Sequence, residues 1–124
     1  MPIPRRSKYG AVKTTIDGIV FDSKREAARF AELKLRERAG EIRGVEVQPI
    51  FQLDVAQRTE GWSYPRKVGV WRGDFRYEER RVTPGGRERW AAVVEDVKGF
   101  KTPVYRLKKR MVEAQYGIQI REIR

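Results

Sequence analysis

Trp90-Ala91-Ala92-Val93-Val94-Glu95-Asp96-Val97-Lys98 reads as a β-strand, rich in apolar residues but carrying two acids and a lysine at its end. A second strand-like stretch, Val70-Trp71-Arg72-Gly73-Asp74-Phe75-Arg76-Tyr77-Glu78, places Asp74 22 positions before Asp96. Strands disfavour aspartate, because its short polar side chain competes with the ladder and packs poorly. Side chains alternate along a strand, so Asp96 and Lys98 share one face while Glu95 and Val97 take the other. If the two strands pair, Asp74 and Asp96 can lie about 5 Å apart across the ladder. Two carboxylates that close repel, and a divalent cation is the simplest stabiliser. The Lys98 ammonium beside them could steady a hydroxide or a phosphate oxygen.

Working outward, the flanking elements are signalled by turns and caps. Val12–Ile16 and Ile19–Phe21 flank Asp17-Gly18, a pair that favours a tight hairpin. Ser23-Lys24-Arg25-Glu26 fits a capping box that opens a helix running to about Ala39, with Ala27, Phe30, Ala31, Leu33, Lys34 and Leu35 as its apolar side and Gly40 as terminator. Val45–Val55 predicts a strand region interrupted or bent at Pro49. Gln57–Arg66 is polar and predicts a loop. Lys67–Glu78 and Arg87–Lys98 are the second and third strands, joined through Pro84-Gly85-Gly86. Thr102-Pro103 supplies a cap and first-turn proline for a second helix, in which Val104, Leu107, Met111, Val112 and Gln115-Tyr116 repeat at helical spacing. Gly117 stops it, and Ile118, Ile120 and Ile123 mark a last strand. The order is hairpin, α, β, β, β, α, β. Three antiparallel strands and a last one parallel to the third, reached by a helical crossover, give an α/β (α+β) fold with a mixed central sheet. Residues 1–8 read as a basic disordered arm and 9–124 as a single domain.

Composition narrows the chemistry. The chain has 124 residues, 36% of them charged, and a formal net charge of +11. Such a field attracts polyanions, and nucleic acid is the partner it favours. No segment approaches the apolar length of a membrane span, and no hydrophobic run follows the basic N-terminus to make a secretory signal. The chain contains no cysteine and no histidine, which excludes thiol nucleophiles, zinc-thiolate sites and Ser-His catalysis. Hydrolytic chemistry must then run on carboxylates, lysine or hydroxyls, with Mg²⁺ or Mn²⁺ as the natural ions.

An α-βββ-α-β core with Asp on the second strand and Asp/Glu-x-Lys on the third resembles the PD-(D/E)XK nuclease superfamily. More narrowly, Lys8-Tyr9-Gly10, Asp17-Gly18, Phe21-Asp22-Ser23-Lys24-Arg25-Glu26-Ala27, Gln48-Pro49, Gly73-Asp74-Phe75 and Val94-Glu95-Asp96-Val97-Lys98-Gly99 are similar to a family of small phage-encoded endonucleases. Some of their relatives are Holliday-junction resolvases. Gly73 stands where the superfamily's name has proline, and Asp96 takes a place often held by glutamate. The resemblance implies a restriction-endonuclease-like core with an added N-terminal hairpin. It implies that Asp74, Asp96 and the Val97 carbonyl ligate Mg²⁺, that Mn²⁺ substitutes, and that Lys98 orients or deprotonates the attacking water. Glu26 would complete the acidic cluster, and Gln48 could reach it from the first strand. Lys101, Arg106, Lys108 and Lys109 lie after the motif where phosphate must bind, and Arg66 and Lys67 stand beside Trp62, Tyr64 and Trp71. The implied activity is that of a metal-dependent endodeoxyribonuclease on DNA, with branched DNA the first substrate to try. The implied state is a homodimer, acting in the cytoplasm of a host cell without a membrane.

Each site residue also has a plainer reading. Asp74 could pair with Arg72 or Arg76, Asp96 with Lys98, and Lys98 could be a solvated strand end. The capping box alone explains Glu26, and Gln48 before Pro49 could be a structural hydrogen-bonder. Glu95 reads as structural. The rival functions are a non-catalytic nucleic-acid-binding module and an assembly protein that organises a polyanion.

Overall fold

The computed structural model describes residues 13–56, 65–97 and 102–123, without the side chains of residues 55, 56, 65 and 66. The expected arm at residues 1–8 and most of the expected loop after Ala56 lie outside the described residues. Asp17 and Gly18 take φ values of +51° and +77°, and this left-handed pair turns β1 (Thr14–Ile16) back onto β2 (Ile19–Phe21) as an antiparallel ribbon.

Helix α1 (Lys24–Arg38) starts where Ser23 Oγ accepts from the Glu26 amide at 3.1 Å. It ends where Gly40, at φ +78°, lets the Gly40 and Glu41 amides reach back to the carbonyls of Glu37 and Arg36. Its buried stripe is Ala27, Phe30 and Leu33; Ala31 and Leu35 of the expected apolar side are exposed. Helix α2 (Pro103–Tyr116) is capped as expected by Thr102 Oγ and stopped by Gly117 at φ +64°. Here the expected stripe is corrected. Val104 and Leu107 face solvent, and the helix packs through Tyr105, Met111 and Val112. Tyr105 and Val112 are seven apart, so they lie on one face two turns from each other.

The strands are β3 (Ile42–Val47), β4 (Ile50–Ala56), β5 (Pro65–Arg72), β6 (Phe75–Val82), β7 (Glu88–Val97) and β8 (Ile120–Ile123). Four of them form the main sheet in the order β3-β6-β7-β8, with β3, β6 and β7 antiparallel and β8 parallel to β7. This is the mixed sheet expected from the α-βββ-α-β order. One face carries α1 and β2, packed as Phe21, Ala27, Phe30 and Leu33 on Phe75, Tyr77, Val93 and Val97. The other carries α2 and the separate β4–β5 ribbon, packed as Val112, Phe51, Leu53 and Trp71 on Val94 and Ile120.

Two expected strands are each divided. The first breaks at Gln48-Pro49, as the proline suggested. The second, expected as one strand over Lys67–Glu78, begins at Pro65 and breaks at Gly73-Asp74, so Asp74 sits at a strand junction rather than inside a strand. The two breaks face each other: the Gly73 amide donates to the Pro49 carbonyl at 3.0 Å and the Gln48 amide to the Asp74 carbonyl at 2.9 Å. A Cβ on Gly73 would lie 3.0 and 3.2 Å from the Trp71 ring and 3.4 Å from Pro49. The indole folds back over Gly73, and that close approach turns the chain from the ribbon into the main sheet.

Candidate metal centre

Asp74 immediately precedes β6, and its carboxyl lies close to that of Asp96. The neighbouring register pair is Phe75 with Glu95, and the Asp74 amide donates to the Glu95 carbonyl at 3.0 Å. Neither arginine beside it takes the Asp74 carboxylate: Arg76 pairs with Glu46, and Asp74 Oδ2 instead accepts the Val97 amide at 2.5 Å. Asp96 is 0% exposed, and both of its carboxylate oxygens are buried without a hydrogen-bond partner. A buried polar oxygen left unpaired is costly, so a donor or a cation beside this carboxylate is favourable.

The electrostatics say the same. Burial pushes the Asp74 carboxyl up to about 8, with Asp96 and then Glu26 adding to the rise and the Val97 amide opposing it. Burial and the neighbouring acids thus favour a proton on the Asp74 carboxyl at neutral pH. Glu26 contributes its field from the first turn of α1, but it does not join the aspartates in a closed cage. Among the described residues no three acidic side chains are grouped closely enough to hold a metal by themselves. Two carboxylates and the Val97 carbonyl nonetheless suit Mg²⁺, which takes one or two protein carboxylates and fills the rest of its octahedron with water and phosphate oxygens. The orphaned oxygens of Asp96 are the observation that makes the donor set fit.

Gln48 adopts φ +53°, a left-handed conformation unusual for a residue with a side chain, and its amide is spent on Asp74. It thus supports the junction through its backbone. Lys98 and Lys101 lie outside the described residues, as does the side chain of Arg66. Lys67 and Arg106 are exposed, and Lys108 Nζ reaches the Val70 carbonyl at 3.5 Å. Lys109 is bound to Glu122 at 2.9 Å, so its charge is already offset.

Sequence reading missed two contributors. Tyr105 buries its hydroxyl beside Asp96, and burial followed by that carboxylate pushes the phenol upward. Its place in the chain carried no signal beyond helical spacing from Val112. Arg29 is the other. Glu95 is 0% exposed on the sheet face opposite Asp96, where Arg29 grips it through Nε at 2.8 Å and Nη2 at 2.6 Å, and Tyr77 also donates to it. That pair holds the guanidinium charged well above its ordinary range, the Glu95 hydrogen bond being the largest cause. Arg29 follows Glu26 by three residues, one turn along α1. The bond therefore ties the first turns of α1 to β7.

These features define a mixed α+β domain with a half-buried Asp74 and a buried Asp96 at a strand junction. The chain belongs to the family described as protein of unknown function (DUF1064), whose model matches residues 6–123. No curated protein matches the chain. No solved structure matches it either. Among the described residues no helix is long and apolar enough to cross a membrane.

Proposed function

We propose that this protein is a Mg²⁺-dependent DNA endonuclease, with branched DNA as its first candidate substrate. The observation that carries the reading is the buried, unpartnered carboxylate of Asp96 beside an Asp74 whose carboxyl is pushed up to about 8. Asp74, Asp96 and the Val97 carbonyl would hold the ion, and Mn²⁺ would substitute for Mg²⁺. When bound, the ion offsets phosphodiester charge and lowers the pKa of water. The chain's own parts have separate tasks. The Val97 amide fixes the Asp74 carboxylate, Tyr105 shields Asp96, and Glu26 adds negative field from α1. Lys98, two residues beyond Asp96 in the sequence, would orient the attacking water. A net charge of +11 supplies the attraction for DNA. Cutting two strands requires two such centres, so the working form would be a homodimer.

Incubation with supercoiled plasmid and with a labelled four-way junction, in Mg²⁺ or in EDTA, tests the proposal. Nicked or resolved product only with the metal, lost in Asp74→Asn while binding persists, is the expected result. Tight binding without any metal-dependent product would instead support a non-catalytic nucleic-acid-binding module.

A further inference from the structure

The cations of this protein divide by layer. On the main sheet and α1 charge is largely balanced: Arg29 pairs with Glu95, Arg43 with Glu78, Arg76 with Glu46, and Arg36, Arg81 and Arg121 with Glu79, while Lys24, Arg25, Arg38 and Arg89 form no ion pair with a described residue. On the β4–β5 ribbon and α2, Lys67, Arg72, Arg106, Lys108 and Arg110 form no ion pair with any described residue. Two acids of this layer are already engaged: the Glu113 carboxylate accepts from the Ile120 backbone amide, and the Asp54 carboxylate accepts from the side-chain amides of Gln52 and Gln115. The net positive charge of the described chain is thus concentrated on the layer that carries α2.

Local geometry arranges these charges. The register of the ribbon slips between Leu53 and Asp54, so that Gln52 faces Val70 and Asp54 faces Lys67. The extra residue, Val68, restores Lys67 to the outward face that Val70 and Arg72 share. Lys67 and Arg72 then stand about 16 Å apart along one strand, the rise of about five base pairs. Arg72 is two residues from Asp74. Lys108 ties α2 to the same strand at the Val70 carbonyl. Arg106 and Arg110, both exposed and four residues apart on α2, form a like-charge pair that costs helix stability and has no compensating carboxylate.

We propose that the outward face of β5 and the exposed side of α2 form a phosphate track that seats a nucleic-acid backbone and leads it to the Asp74 junction. This deepens the reading given under Proposed function, but the track binds whether or not the metal centre cuts. The matched arginines of the main sheet take no part.

Binding of a fluorescein-labelled 20-base-pair duplex and a four-way junction, measured by anisotropy in EDTA across a salt series, tests the track. K67Q/R72Q should weaken binding about tenfold and reduce the slope of log K against log salt by about 1.8, the release expected for two lost phosphate contacts. R106Q/R110Q should act in the same direction while its helix stays folded. R43Q/R76Q removes the same charge from matched arginines and should change binding less than twofold. Equal losses in the track and control variants, or no loss in either track variant, would overturn the proposal. Because metal is absent, a failed track leaves the cleavage assay untouched, and a failed cleavage assay leaves the track standing.

Discussion

The amide of Val97 donates to the carboxylate of Asp74 at 2.5 Å, across the junction where β6 begins and β7 ends. This bond lets the backbone of one strand aim the side chain of the other. It holds the Asp74 carboxyl close to the buried oxygens of Asp96.

The pH dependence of stability follows from Asp74. Its carboxyl is raised from an ordinary 3.8 to about 8, chiefly by burial and then by Asp96. Between about pH 4 and pH 8 the native state therefore holds a proton that the unfolded chain has released, so metal-free stability falls as pH rises through that window. Thermal melts in EDTA at pH 5 and pH 8 should show the decline. Asp74→Asn should flatten it and raise Tm at pH 8 by roughly 4–8 °C, on the order of 1–2 kcal/mol. A wild-type Tm that rises steadily from pH 5 to pH 8 would contradict the assignment.

Arg29 and Glu95 form the buried pair beneath the centre. Arg29→Ala leaves a carboxylate uncompensated at 0% exposure, a loss of roughly 3–5 kcal/mol. Arg29→Met with Glu95→Gln should lose less than the sum of the single changes, since the pair goes together. Urea titrations of the four proteins in this cycle measure the coupling. Strict additivity would mean that the contact does not set the position of α1.

Gly73→Ala tests the strand junction. The new methyl meets the Trp71 ring at 3.0 Å, so the indole or the chain at Asp74 must shift, at about 1–3 kcal/mol. We expect a lower denaturation midpoint with an unchanged urea slope, together with weaker metal binding. Gly69→Ala, where an added Cβ meets nothing within 4 Å, is the control and should keep metal binding near wild type.

Much of this architecture could be read from local signals. Asp17-Gly18, the Ser23 and Thr102 caps, and Gly40 and Gly117 each impose their geometry on nearby residues, so the element order and both helices were legible. That Asp74 and Asp96 come near each other was also legible, because the stretches that hold them read as neighbouring strands. The division of the second strand was not. Strand-forming residues run on both sides of Gly73, and the break is fixed by bonds to a distant segment, Gly73 to Pro49 and Gln48 to Asp74. Val104 and Leu107 misled because helical spacing identifies a stripe without saying which stripe meets the sheet. Tyr105 and Arg29 matter through partners far away in the chain, Asp96 and Glu95, and nothing in their own neighbourhoods announces that.

Isothermal titration of Mn²⁺ into the wild-type protein and into Asp74→Asn and Asp96→Asn, at pH 8, addresses the pairing of Asp74 with Asp96 most directly. The account predicts saturable binding to the wild type, tighter at pH 8 than at pH 6 because the ion must displace the Asp74 proton, and its loss in both variants. Undiminished binding in Asp96→Asn, or no saturable binding to the wild type, would contradict it.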